Sequence, residues 1–366
     1  TSSDVYFEAL TIANGNMPSS IYTVQTDYGQ GIALKSCNSV FTNCFFYRNG
    51  ERNKASGNDG YKEVRGGAIG AENGTLLIYG CRFSENAIKG DNKKIAGFGG
   101  AVAAFNLSKV IIKDCEFNKN FIQTVHARLM GGGAISLNSC TYSEIDNTTF
   151  TTNYARRSTG TGSYTSDDTG YGPHGGTIYI SGGTANIHDC AIHGGWNNSL
   201  RSNHKYSYGG VMFFTGNAQV QLNRIVVNNA GYSGQSDSSN CAKNSVGSIS
   251  VASGHLAMTN VIHSASYSGH ALGNNGGTID AVNCTFTGVT DRGSTFKCGY
   301  LQIDGSAVFR NCIFWNNAGG EYLTIGGTAP EFYYCIVEGE VPGAYNMITD
   351  PLFSDPNYCH PKSTAG

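Results

Sequence analysis

Two short phrases alternate along the chain at a nearly fixed distance, and this regularity restricts the fold more than any single residue does. One phrase is Gly-Gly-Ala followed by Ile or Val: Gly66 to Ile69, Gly99 to Val102 and Gly132 to Ile135, with weaker versions beginning at Gly175, Gly209 and Gly247. The other is Cys-x-Phe-x-x-Asn: Cys44 to Asn49, Cys81 to Asn86, Cys115 to Asn120 and Cys312 to Asn317. Residues Thr148 to Asn153 repeat it with Thr in place of Cys. From the second Gly to the Cys position the count is 14 or 15 in the clear copies (67 to 81, 100 to 115, 133 to 148, 176 to 190). The same rule finds degenerate copies and gives ten anchors, at 44, 81, 115, 148, 190, 224, 261, 284, 312 and 335.

The anchors are 37, 34, 33, 42, 34, 37, 23, 28 and 23 residues apart. A constant block with variable spacing implies a basic unit of about 23 residues that takes insertions in one place, between the Asn and the next Gly-Gly. Inside the block, apolar residues alternate as in short strands, for example Leu76, Ile78 and Phe83, or Val110, Ile112 and Phe117. A unit of two or three short strands cannot bury its apolar face alone and must stack on its neighbours. The expected fold class is therefore all-β: a single right-handed parallel β-helix of about 10–11 coils, with long loops leaving one edge. Residues 1–346 form the repeat domain and 347–366 a C-terminal tail. Rungs spaced about 4.8 Å apart give a rod about 50 Å long. The residue before the anchor is Asn or Asp in eight copies, among them Asn43, Asp114, Asn147, Asp189, Asn223 and Asn283. That pattern predicts an amide ladder at a turn.

Composition narrows the function. The 50 glycines among 366 residues fit a turn-rich solenoid, whereas 7 prolines exclude collagen-like or Pro-rich chains. With 14% charged residues and a net charge of −2, the chain lacks the basic footprint of a nucleic-acid binder. At 40% hydrophobic it carries too much apolar content for a disordered chain. Residues 1–15 have neither the basic start nor the apolar core of a signal peptide, and no apolar run reaches the ~18 residues of a membrane-spanning helix.

The paired Gly-Gly-Ala-[Ile/Val] and Phe-x-x-Asn phrases resemble the repeats of chlamydial polymorphic outer membrane proteins. More broadly they look like right-handed parallel β-helices of the pectate-lyase-like superfamily, over roughly residues 10 to 340. The tail from Ile348 to Pro356 is similar to the closing segment of many bacterial extracellular β-helix proteins. No outer-membrane β-barrel follows the repeats here, and the later copies lose Gly-Gly and Phe. The resemblance implies an extracellular or cell-surface location without implying chlamydial-type secretion.

The 12 cysteines divide by position. Cys44, Cys81 and Cys115, and likewise Cys284, Cys312 and Cys335, occupy anchors and should form two buried columns. Rung spacing would permit disulfides between neighbours, but three in a row leave one unpaired, and a buried thiol stack is the favoured reading. Cys241, Cys298 and Cys359 lie beside insertions or near the end, and are the better disulfide candidates in an oxidising compartment. No Cys or His set has zinc spacing, so neither a metal nor a cofactor is expected.

Insertions at 50–65, 87–98, 121–131, 154–174, 198–208 and 230–245 should line one edge of the rod. They are rich in Gly, Ser, Asn and Tyr, a mixture suited to contact with protein or sugar surfaces. Candidate ligand-binding residues are Tyr164, Asp167, Asp168, His174, Tyr206 and Tyr208. Asp167-Asp168 and Gly172-Pro-His174-Gly are similar to the Asp pair and Gly-His-Gly phrase of polygalacturonases, but both fall in one loop, where solvation explains them. His188 and His193 read as surface and turn residues. Sequons at Asn73, Asn106 and Asn197 are glycosylation candidates, while those at Asn147 and Asn283 fall on the turn ladder and should be buried.

These features favour a non-catalytic cell-surface β-helix acting in adhesion or as a structural fibre, with surface glycans, proteins or other copies of itself, joined end to end, as partners. The alternatives are a polysaccharide lyase or glycoside hydrolase, which would need two carboxylates within reach of one sugar, and a carbohydrate-binding module.

Overall fold

The chain returns to the same sheets pass after pass, always in parallel. In the computed structural model, the strand Val102–Lys113 pairs on one side with Ile69–Tyr79 and on the other with Ile135–Asn138 and Tyr142–Asp146. The structure describes residues 3–15, 26–50, 52–53, 62–90, 95–124, 129–157, 173–199, 207–232, 245–246, 248–265, 270–289, 301–317, 323–325, 328–355 and 360–361. Among these the fold is all-β, with no helix. Its strands form parallel sheets of 19, 11, 7 and 6 strands, plus a short antiparallel pair, Phe353–Asp355 with His360–Pro361, in the tail.

The 19-stranded sheet carries the segment between Gly-Gly and Cys, and the 11-stranded sheet carries the Phe of the second phrase, as in Arg82–Ser84 and Glu116–Asn118. The sequence distance of 14 in one copy and 15 in the next has a local cause. Val102 pairs with Ile69 and Lys109 with Thr75, and the register shifts between Leu107 and Lys109, where the longer copy inserts one residue.

Like residues consequently lie above like. Phe46, Phe83, Phe117 and Phe150 are fully buried and stack with centroids 4.7, 4.6 and 5.1 Å apart. Each such ring contributes about 1.5–3 kcal/mol by burial. The column continues through Ile192, Val227, His263, Phe286 and Phe314. The Gly pair has two separate reasons. Gly99 sits at φ +66, and a Cβ on Gly100 would lie 2.0 Å from the Gly133 carbonyl oxygen of the next pass.

Two expectations are corrected here. The residues before the anchor form no buried amide ladder: Asn43, Asp114, Asn147, Asp189, Asn260, Asn283 and Asn311 adopt positive φ, and Asn43, Asn147 and Asn283 are exposed. Asn and Asp tolerate this left-handed conformation best among side-chain-bearing residues, which is why they recur at the turn. The buried ladder belongs instead to the Asn of the second phrase. Asn49, Asn86, Asn120 and Asn153 are each 0% exposed. Asn86 Nδ2 donates to Asn120 Oδ1 (2.9 Å) and to the Phe46 carbonyl (3.0 Å), and Asn120 repeats the pattern with Asn153 and Phe83. In addition, Ala191 pairs with Val226, so Ile225 rather than Arg224 holds the anchor position of its pass.

The insertions are more than loops. Each leaves as a strand of the 6-stranded sheet and returns as one of the 7-stranded sheet, as in Ala87–Gly90 and Ile95–Phe98, or Phe121–Thr124 and Met130–Gly131. A small core of Val64, Ile88, Ile122 and Met130 joins these two sheets. A third cluster, Phe98 with Ala103, Phe105, Tyr179 and Phe213, seats the 7-stranded sheet on the outer face of the 19-stranded one.

Candidate functional site

Strand alternation sends Tyr142 and Glu144 outward from Tyr142–Asp146, and register places Asp146 between Lys113 of the previous pass and His188 of the next. Lys113 Nζ lies 2.7 Å from Asp146 Oδ2, and His188 Nδ1 lies 3.0 Å from Asp146 Oδ1. The same Nδ1 is 3.1 Å from Asp189 Oδ2, and Nε2 is 3.7 Å from Glu144 Oε1. Arg224 closes the far end with a bidentate grip on Asp189, Nε to Oδ1 at 2.5 Å and Nη2 to Oδ2 at 2.6 Å. Tyr142 donates its hydroxyl to Glu144 Oε2 at 2.8 Å.

The network thus spans four passes, from Lys113 to Arg224. Glu144, Asp146 and His188 bring one ligand atom each to within 4.8 Å of one another, the number and chemistry of a minimal cation site. Yet Asp146 also holds Lys113, and Asp189 holds Arg224. Hydrogen bonds from Arg224, then from His188, keep the Asp189 carboxyl well below the usual carboxylate range, so it remains an anion and cannot serve as a general acid. Two cationic side chains and the His188 imidazole thus face three carboxylates. Lys113, Arg224 and Asp189 reach solvent, which screens these pairs.

A second feature lies on the 6-stranded sheet, where Phe121, Tyr154 and Trp196 are direct register partners and stack as a ladder. All three follow the Asn position of the second phrase, after Asn120, Asn153 and Gly195. That common offset is the sequence signal by which the ladder is found once the repeats are aligned.

The sequence-derived candidates fall as follows. Tyr164, Asp167, Asp168 and Tyr206 lie outside the described residues, as do Cys241, Cys298 and Cys359. Tyr208 contributes backbone to Ser207–Tyr208, and its side chain is outside the described part. His174 is 3% exposed and stacks on Phe213 at 4.9 Å; burial lowers its pKa to about 3, so it is a neutral packing residue rather than a surface contact. Asn73 and Asn106 are exposed. Asn197 is 1% exposed, and its Nδ2 donates to the Pro173 and Gly209 carbonyls, which leaves no access for a glycan. His188, read from sequence as a surface and turn residue, is half-buried at the centre of the network.

Cys44, Cys81, Cys115, Cys284, Cys312 and Cys335 are all buried free thiols, and the nine described cysteines form no disulfide. Each of the six thiols donates to the carbonyl two residues before it, and Cys81, Cys115 and Cys335 also accept a backbone hydrogen bond. The Cys44 amide donates to Cys81 Sγ at 3.3 Å, the Cys81 amide to Cys115 Sγ at 3.4 Å and the Cys312 amide to Cys335 Sγ at 3.4 Å.

No family model matches the chain, and neither the curated proteins nor the solved structures compared with it include a match.

Proposed function

We propose that the protein is a single right-handed parallel β-helix that acts outside the cell as a rigid, non-catalytic rod, presenting its insertion-bearing edge for adhesion to surface glycans or proteins. Parallel strands joined by crossovers are right-handed in nearly all proteins, which supports the winding sense. Rigidity is supported by the Phe, Cys and Asn columns, which tie each pass to the next at several points. The observation that carries the non-catalytic reading is the internal pairing of the wall network: Asp146 on Lys113, Asp189 on Arg224 and Glu144 on Tyr142. Loops and edges on a stiff scaffold are where recognition concentrates.

The second reading, a polysaccharide lyase or hydrolase, draws on the convergence of Glu144, Asp146 and His188. A screen of acidic and neutral polysaccharides for new reducing ends or unsaturated products separates the two. The non-catalytic reading expects no product. Turnover that disappears in both Glu144→Gln and Asp146→Asn would replace it with the enzymatic one.

A further inference from the structure

Two ligand atoms of the wall network face each other, and each is turned there by a bond at the other end of its group. Tyr142 donates to Glu144 Oε2 at 2.8 Å, and the second oxygen, Oε1, lies 3.7 Å from His188 Nε2. On the far side of the imidazole, Nδ1 lies 3.0 Å from Asp146 Oδ1 and 3.1 Å from Asp189 Oδ2, and Arg224 grips Asp189 in turn. Carboxylates at Nδ1 select the tautomer that carries its proton there. Nε2 then turns a lone pair toward a carboxylate oxygen, and two acceptors so placed are joined by a cation. A carboxylate behind the ring is also the partner that orients a metal-bound histidine.

Asp146 completes the set. One ligand atom from each of Glu144, Asp146 and His188 lies within 4.8 Å of the other two, and this is the one such trio among the described residues. A tetrahedral ion with bonds of about 2.0–2.1 Å holds its ligands about 3.4 Å apart. The edge between Glu144 and His188 is therefore nearly at length, and rotation of these two partly exposed side chains closes the rest. Lys113 takes Asp146 Oδ2 and Arg224 takes Asp189, so Glu144 is the carboxylate that holds no lysine or arginine among the described residues.

A separate observation comes from two amides at the border of the trio. Asn186 is the register partner of Glu144 and Asn223 that of His188, and the Oδ1 of each is buried with no hydrogen-bond partner. Asn186 Nδ2 donates to the Tyr142 hydroxyl at 3.4 Å, which ties this amide to the group that orients Glu144. An orphaned buried acceptor is costly, and water carried on a bound ion is a donor that would satisfy it. Glu144 and His188 are 44 residues apart, so no ligand spacing along the chain reveals them; register between passes does.

We propose that Glu144, Asp146 and His188 bind a divalent transition-metal ion of the Zn²⁺ type, which clamps the pass ending at Asp146 to the pass ending at His188. One imidazole with two carboxylates suits Zn²⁺, whereas Ca²⁺ and Mg²⁺ call for six or more oxygens. The clamp is independent of the adhesion reading.

The test uses the chain with Cys37, Cys241, Cys298 and Cys359 replaced by serine, so that only buried thiols remain to compete. After treatment with EDTA and dialysis, ZnCl2 is titrated by calorimetry, and thermal melts are recorded with and without it. A saturable site is expected, with a higher melting temperature once it is filled. Affinity should fall at least ~ten-fold in Glu144→Gln and His188→Gln, which each remove a ligand, and about ten-fold in Asp189→Asn, which frees the ring. His255→Gln, which alters a histidine paired only with Asp280 on the same wall, should leave binding unchanged. Glu144→Gln keeps size and shape, so it stays informative if the His188 variant folds poorly. No saturable binding, or equal binding in the parent, Glu144→Gln and His188→Gln, overturns the site. Binding that leaves the melting temperature unmoved overturns the clamp.

Discussion

The backbone amide of Cys115 donates to the hydroxyl oxygen of Thr148 at 3.4 Å, in the place where the two preceding passes use a thiol. The amide of Cys335 is met in the same way by Asn346 Oδ1 at 3.0 Å. Cys, Thr and Asn are thus interchangeable here because each supplies an acceptor small enough for the turn. The anchor is a hydrogen-bonding position before it is a redox one.

Substitution at Cys81 separates these roles. Cys81→Thr keeps an acceptor for the Cys44 amide and should change stability by less than about 1 kcal/mol, near the net worth of one hydrogen bond. Cys81→Val has the same shape without the acceptor and should cost about 1–3 kcal/mol by orphaning a buried amide. Urea unfolding followed by intrinsic fluorescence measures both, and equal losses would refute the acceptor role.

The thiols should also be chemically silent in the folded state. Burial pushes Cys81, Cys115 and Cys190 up to about 12, and Cys140 to about 11, so almost no thiolate exists at neutral pH. Iodoacetamide at pH 8 followed by peptide mapping should leave these four unlabelled in native protein and label them in urea. Labelling at equal rates in both states would show that the columns are open to solvent.

Asn120 occupies the middle of the amide ladder, accepting from Asn86 and donating to Asn153 and to the Phe83 carbonyl. Asn120→Asp removes both donors and introduces a buried charge, so a loss of about 3 kcal/mol or more is expected, or a failure to fold. Lys119→Ala next to it, an exposed turn residue, should lie within about 0.5 kcal/mol of the wild type. Thermal melts of the pair test whether the ladder or its neighbourhood matters.

Acid should destabilise the fold through two histidines. Burial lowers His174 to about 3 and His263 to about 4, from an ordinary value of 6.5. Above pH 6.5 both are neutral whether folded or unfolded, and nothing is lost. Between 6.5 and about 4 the unfolded chain takes up protons that the native one cannot, so stability falls with pH by roughly 1 kcal/mol per unit for each histidine. His263 sits in the Phe column between Val227 and Phe286, so His263→Phe should keep the packing and flatten part of the slope. Chemical denaturation midpoints at pH 7, 6 and 5 measure it; a slope unaltered by His263→Phe would contradict this assignment.

The sheets were legible because the repeat block recurs at nearly constant length, which makes alignment possible without a homologue. Leu76, Ile78 and Phe83 announce strands, and the alternation survives where the Gly-Gly phrase decays. The strands of the insertions were not legible. Pro173–His174 and Ser207–Tyr208 are two residues each, shorter than any period, and exist because the preceding pass offers them a ladder. The wall network was hidden for a different reason. Lys113, Asp146 and His188 are 33 and 42 residues apart and ordinary in isolation, yet each stands two residues before its anchor. The turn asparagines misled because a left-handed turn and a buried amide ladder both select Asn. Backbone φ and solvent exposure distinguish them.

Register between passes is the claim on which both the columns and the network depend. Leu77 and Ile111 face outward as direct partners, whereas Asn186 lies three passes from Leu77 along the same column. In a background where Cys37, Cys241, Cys298 and Cys359 are replaced by serine, which leaves only buried native thiols, the double variants Leu77→Cys with Ile111→Cys and Leu77→Cys with Asn186→Cys can be treated with the short thiol crosslinker dibromobimane. Rungs about 4.8 Å apart predict efficient crosslinking of the first pair and none of the second. Failure of the first pair to link while both cysteines remain reactive, or equal linking of the two pairs, would contradict the stacked arrangement.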